Sequence, residues 1–443
     1  MKRLNEFYQK SATQKLLASL LSILVGLCVG GLIIVIVGIF SDNIDGKGII
    51  EGLRLLFGGI FSTGRSGTEL TFGFNSKSIG NMLFRAAPLI MCGLSVAVSQ
   101  KTGLFNIGAP GQYLMGAMSS LLVALSVPSA KYGAVTVWLL AFLAAIVASA
   151  IWGAIPGILK AFLNMNEVLA CIMTNWIAAN VVTWVFDKAS FSMMNESYMP
   201  GLTGSFQNYV ENTKTSYIYK TTFNNVETAK FGLNKLFPDS QVNGGILIAI
   251  LFAIGIYVLI NKTTLGFELK ACGANRFSAK YAGIHDKRNT VLSMMIAGSL
   301  AGVGGALYYL SGNTEFVWET YQTLPATGFN GIAVSLLAVN NPIGVIFTGL
   351  FMSMLDIVGL QLTNLTAYNE YITDVITASI VYLSAFSMVF QILLRGKKKN
   401  EKKAESAPAV KEEPVPEKPA VTEEEIAAES EAAVNEAKGD AGK

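Results

Sequence analysis

The side chains in this 443-residue chain that could recognise a small molecule are mostly neutral amides and aromatic rings set among glycines. Gly103-Leu104-Phe105-Asn106-Ile107-Gly108-Ala109-Pro110-Gly111-Gln112 places two carboxamides and a phenyl ring between three glycines and a proline. Thr327-Gly328-Phe329-Asn330-Gly331-Ile332-Ala333-Val334, with Asn340-Asn341-Pro342 behind it, repeats the Phe-Asn pair beside glycine. Carboxamides both donate and accept hydrogen bonds, and rings offer an apolar face, so such a set suits a neutral polar solute. Both runs lie in apolar surroundings, where backbone released from a helix is tolerated only if it is packed in protein or lines a wet cavity. They read as matching elements of two repeated halves. The alternative is that the small residues serve close helix packing, as Gly26/Gly30, Gly153/Gly157 and Gly298/Gly302 do at four-residue spacing.

Other chemistry is missing. No G-x-x-x-x-G-K-[ST] run is present to cradle a nucleotide, and no H-E-x-x-H or G-x-S-x-G run to support hydrolysis. The single histidine, His285, precludes a multi-histidine metal site, and Cys28, Cys92, Cys171 and Cys272 are too scattered for a C-x-x-C site. No metal and no cofactor is expected, and any ATP-driven function must borrow its ATPase. Charge within apolar stretches is confined to Arg85, Lys160, Asp356 and Asp374. Arg85 and Asp356 need explaining: they read either as an ion pair lining a pathway or as structural or snorkelling residues.

The elements that must position these residues are membrane spans. The chain is 52% hydrophobic and 14% charged, against about 25% charged in soluble proteins. The net charge of +3, without an aromatic-interleaved basic patch, argues against nucleic acid. Long apolar stretches cover residues 17–40, 78–99, 107–127, 134–162, 168–186, 245–260, 290–310, 342–360 and 372–394, and 328–339 suits a half-spanning helix. The expected fold is an all-α polytopic membrane protein of about ten transmembrane or half-spanning helices in two pseudo-repeated halves. Residues 1–16 and the segment after the last span are basic, which puts both termini in the cytoplasm and agrees with an even number of crossings. Loop 187–243 is then external and the basic loop 261–289 internal, with the whole permease body spanning 17–394. Residues 49–60 read as an interfacial helix. Residues 395–443, rich in Lys, Glu, Ala and Pro, read as a disordered cytoplasmic tail.

The internal loop contains Gly273-Ala274-Asn275-Arg276-Phe277-Ser278-Ala279-Lys280-Tyr281-Ala282-Gly283-Ile284. A short helix over Ser278 to Ala282 is expected, with Asn275 as its N-cap and Gly283 as its stop. Such a helix suits a groove in a partner, though an ordinary charged loop would have the same residue types.

Taken in order, Phe105 to Gln112, Asn166-Glu167-Val168 with Met173-Thr174-Asn175, Gly273-Ala274-Asn275 with Tyr281 to Ile284, and Gly328 to Val334 with Asn341-Pro342 resemble the permease subunits of ABC importers. The resemblance is to the ribose/branched-chain amino acid superfamily, nucleoside-uptake branch, over roughly residues 78–394. It implies alternating access driven by cytoplasmic ABC ATPase subunits, a second related permease subunit, a substrate-binding lipoprotein of the basic membrane protein type, and a bacterial plasma membrane location amid lipid. It also makes Asn275, Ser278, Ala279, Tyr281, Ala282, Gly283 and Ile284 the expected ATPase-coupling residues. Phe105, Asn106, Gln112, Asn175, Phe329 and Asn330 are the expected lining of the solute path. The family commonly has Glu where this chain has Pro110, which implies either a different lining or a stiffer turn. Permeases for a sugar or a branched-chain amino acid, and a stand-alone ion-coupled transporter, are the alternatives.

Overall fold

A computed structural model describes residues 11–187, 215–218, 224–319, 322–369 and 371–384. Residues 1–10, the tail 395–443 and most of the expected external loop fall outside the described residues.

The expected apolar stretches all contribute helices, because a helix satisfies its backbone donors and acceptors within one segment. α1 (Ser11–Phe40) is followed by the short α2 (Gly46–Gly58) and a hairpin of β1 (Ser62–Ser66) and β2 (Glu69–Phe72). Then come α3 (Ser76–Lys101), α4 (Ala109–Ser126), the single turn α5 (Ser129–Tyr132), α6 (Ala134–Leu163) and α7 (Glu167–Asp187). A strand, β3 (Thr215–Ile218), and the turn α8 (Leu233–Leu236) lead to α9 (Gly245–Lys262), α10 (Thr264–Ala274), α11 (Arg276–Tyr281) and α12 (Asp286–Tyr309). β4 (Phe316–Glu319), antiparallel to β3, precedes α13 (Ala326–Leu337), α14 (Pro342–Leu365) and α15 (Tyr371–Ser384).

Side-chain caps fix several starts. Asp45 Oδ1 accepts from Gly48 N at 2.7 Å before α2, and Asn75 Oδ1 from Ser78 N at 2.9 Å before α3. Asn341 Oδ1 accepts from Ile343 N at 3.0 Å, with Pro342 in the first helical position of α14.

Among the described residues, seven helices have the length and hydropathy to cross a membrane: α1, α3, α6, α7, α9, α12 and α14. Within the apolar window of α3, 83% of residues are buried, against 22% in α6, so α3 is a central helix and α6 a peripheral one. The outer face of α6 is aliphatic (Val135, Leu139, Leu143, Val147, Ile151), as a lipid contact requires. α4, 18 residues long, has most of its side chains enclosed by neighbouring helices.

α3 and α12 run antiparallel at the centre: Phe84 stacks on Tyr308 with ring centroids 5.5 Å apart, and Thr102 bonds Ser293 at the other end. α3 also lies against α13 and α14, while α12 lies against α4 and α6. These matching neighbour sets fit the two-halves expectation. The antiparallel seam between α6 and α12 depends on absent side chains. A Cβ on Gly153 would lie 3.0 Å from the Gly298 Cα, and one on Gly302 would collide with the Ser149 side chain.

At one end of the bundle, Arg65 of the hairpin pairs with Glu51 of α2 and donates to the Leu365 carbonyl that ends α14, at 2.9 Å from Nε. Tyr368 Oη donates to Ile34 O of α1 at 2.9 Å nearby. α2 is thus held against neighbouring helices, burying Glu51, Gly52, Leu55 and Leu56 and turning Ile50 and Phe57 outward.

Replacing Gly298 by Leu should remove the monodisperse detergent-solubilised protein or sharply lower its melting temperature, since overpacking a tight seam costs about 1–3 kcal/mol or more. Gly255→Leu, whose Cβ meets open space, should melt like the parent chain.

Candidate functional site

After α3 the chain does not leave the bundle. Thr102 Oγ1 donates to Ser99 O at 2.8 Å, and Leu104 N returns to the same carbonyl at 2.9 Å, so residues 102–108 fold back alongside α3. Asn106 holds that fold-back. Its Nδ2 donates to Ser95 Oγ at 3.0 Å and to Gln112 Oε1 at 2.8 Å, while its Oδ1 accepts from Gly108 N at 3.0 Å and from Gln112 Nε2 at 3.2 Å. α4 therefore starts inside the protein.

A helix beginning in a buried site has orphan N–H groups that must find partners. Pro110 in the first turn has no N–H, and Gly111 N donates to Asn175 Oδ1 of α7 at 2.9 Å. Asn175 Nδ2 in turn donates to Ile107 O at 2.9 Å. One amide on α7 thus serves both sides of the break. Pro110 also meets the second glycine-rich run: a Cβ on Gly328 would lie 2.5 Å from the Pro110 Cα, so the starts of α4 and α13 touch. The proline in place of a carboxylate fits a stiffened helix start at this contact.

The structure turns three of the six expected lining residues inward. Asn106, Gln112 and Asn175 are no more than 2% exposed and are engaged with one another or with backbone. Phe329, 40% exposed, and the half-buried Phe105 and Asn330 remain accessible. Ser95, which completes the Asn106 network, was not marked by any sequence signal; it is one of four serines in α3.

The internal loop folds into α10 and α11. Asn275 Oδ1 accepts from Phe277 N and Ser278 N, each at 3.0 Å, and Gly283 closes the helix at φ +80°. The helix covers Arg276–Tyr281, two residues earlier than expected at its start, because Asn275 is its immediate N-cap. Ala279 is buried beneath it, Ile284 is half-buried, and Ser278, Ala282 and Gly283 are exposed. Tyr281 is 94% exposed and Phe277, four residues earlier, 77% exposed, so two rings project from one helix face. The i, i+4 spacing of Phe277 and Tyr281 was the available signal for Phe277. Arg276 Nε and Asp286 Oδ2, 2.5 Å apart, clasp the base of this loop. Gly273, at the end of α10, abuts the backbone of Thr102 and Gly103, which links the loop directly to the fold-back under Asn106.

Seven helices of membrane-spanning length among the described residues, a buried helix start held by amides, and a protruding amphipathic helix define a membrane transport subunit. The chain matches the family described as branched-chain amino acid transport system / permease component over residues 78–388, and it belongs to that family. It is 35% identical over 320 residues to the nucleoside ABC transporter permease protein NupB of Lactococcus lactis, covering 72% of this chain and 82% of the relative. To the guanosine ABC transporter permease protein NupP of Bacillus subtilis it is 30% identical over 384 residues, covering 87% and 97%. To the glucose ABC transporter permease protein TsgB13 of Haloferax volcanii it is 28% identical over 373 residues, covering 84% and 87%. No solved structure matches. The chain is therefore a multi-pass membrane permease subunit.

Asn106→Ala should destabilise the protein by several kcal/mol, because Gly108 N–H and the Gln112 amide would lose buried partners at about 1–3 kcal/mol each. Thermal unfolding in detergent checks this, with Asn330→Ala expected to melt like the parent.

Proposed function

We propose that this chain is the permease subunit of an ATP-driven ABC importer for nucleosides, with both termini in the cytoplasm of a bacterial cell. The observation that carries the reading is the 35% identity to NupB over 82% of that protein's length. The chemistry beside the junction supports it: the accessible Phe105 and Phe329 rings and the Asn330 amide suit a neutral solute with hydrogen-bonding edges and a flat face. Phe105, Phe329 and Asn330 form the accessible wall of the path, and Asn106, Gln112 and Asn175 hold the backbone behind it. The glucose-named relative keeps a sugar as the second reading.

Energy comes from partner ABC ATPase subunits, and solute from an external binding lipoprotein; a second related permease completes the path. α11 is the docking element, with Phe277 and Tyr281 inserted into the ATPase and Ala282 and Gly283 lying against it. Movement of α11 passes through Gly273 to Gly103 and the fold-back, and so to the starts of α4 and α13. Because no ion-coupling relay is needed, a path with few charges suffices.

In cells relying on this system, unlabelled nucleosides should suppress labelled nucleoside uptake while glucose and leucine do not; suppression by glucose alone would select the sugar reading. Replacing both Phe277 and Tyr281 by Glu should abolish co-purification of the ATPase and lower uptake at least tenfold, with the melting temperature of the permease unchanged. Retained ATPase would remove α11 from the docking role.

A further inference from the structure

Arg85 and Asp356 play no part in the junction. Arg85 lies nine residues into α3 and Asp356 nine residues before the end of α14, about 14 Å from the same end of the bundle at 1.5 Å per residue. The two helices are fastened on either side of this level: Ser353 Oγ donates to Met82 O at 2.6 Å and Gln361 Nε2 to Ser78 Oγ at 3.4 Å. The Asp356 carboxylate feels the charges of Arg85 and of Asp374, on the first turn of α15. Yet among the described residues no ion pair or hydrogen bond engages Arg85 or Asp356, and both are half-buried. Thr373, 8% exposed and packed on Gly359 one turn from Asp356, has a hydroxyl oxygen without a partner among the described residues.

Opposite charges at this depth are costly, and contact between them is the usual relief. Here α3 and α14 bring them to one level, and no ion pair joins them among the described residues. That separation leaves a planar guanidinium with donors to give and a carboxylate able only to accept, with a hydroxyl alongside. The complementary solute is neutral and presents an acceptor next to a donor along one edge. A nucleobase does so; in guanine, O6 faces the guanidinium while N1–H and N2–H face the carboxylate.

We propose that Arg85 and Asp356 form a recognition subsite for the hydrogen-bonding edge of a nucleobase on its way into the path, an assignment that rests on the nucleoside reading. The subsite selects by edge chemistry and leaves the sugar to the amide and aromatic wall deeper in.

The test is uptake of labelled guanosine and labelled 1-methylguanosine, which lacks N1–H, by cells carrying the whole transport system with the permease gene exchanged. The same binding protein serves every variant, so a change in the guanosine to 1-methylguanosine ratio belongs to the permease. In Asp356→Asn, and independently in Arg85→Gln, the ratio should fall at least fivefold from its wild-type value, read in whichever variant reaches wild-type abundance in the membrane. The exchange of both residues, Arg85→Asp with Asp356→Arg, should leave the ratio low. A ratio unchanged in the single variants, with both solutes slowed equally, or full recovery in the exchange, would reduce the pair to a structural one and overturn the subsite while leaving the nucleoside reading intact. Absence of any nucleoside uptake by the wild type would overturn both.

Discussion

A polypeptide backbone inside a membrane must satisfy its own hydrogen bonds, and this fold is arranged around the place where it does so without a continuous helix. Between α3 and α4 the chain folds back within the bundle, where side-chain amides meet Gly108 N and Gly111 N, backbone carbonyls meet Leu104 N and Ile107 N, and Pro110 brings no donor. Asn106, Gln112 and Asn175 are costly to bury singly. As a set they are mutually satisfied, and the network fastens α3, α4 and α7 to one another.

The consequences spread from that junction. α4 can start inside the protein only because α7 supplies Asn175 as a remote cap, and α13 can approach it only because residue 328 is glycine. The α6–α12 seam likewise needs Gly298 and Gly302, since association between helices in lipid depends on close backbone approach rather than on the hydrophobic effect. From the other side, the backbone contact of Gly273 with Thr102 and Gly103 joins the junction to α10 and α11. A displacement of α11 therefore has a short, packed route to the buried start of α4 and to Gly328 of α13 against it.

Much of the architecture was legible in the sequence because membrane spans announce themselves by uninterrupted hydropathy; each expected stretch contributes a helix, including the half-length α13, with ends that differ by one or two residues in several. Asn275 as N-cap and Gly283 as stop were readable because caps depend on local geometry. The role of the amides was less legible. A carboxamide beside glycine looks the same whether it faces solute or braces backbone, and only the partners of Asn106 and Asn175, one of them 64 residues distant in sequence, distinguish the two. The packing reading and the broken-helix reading of the glycine runs proved compatible: Gly328 serves both. Arg85 and Asp356 were visible as charges in apolar stretches, but their failure to pair could be seen only once α3 and α14 were side by side.

The central claim is that this chain supplies a path for a neutral solute and takes its energy from outside itself. The most direct measurement is labelled nucleoside flux into proteoliposomes holding either the purified chain alone or the complete complex with its ATPases, binding protein and ATP. The account predicts accumulation only with the complete complex and ATP, and none by the chain alone under a proton or sodium gradient. Gradient-driven accumulation by the isolated chain would contradict it.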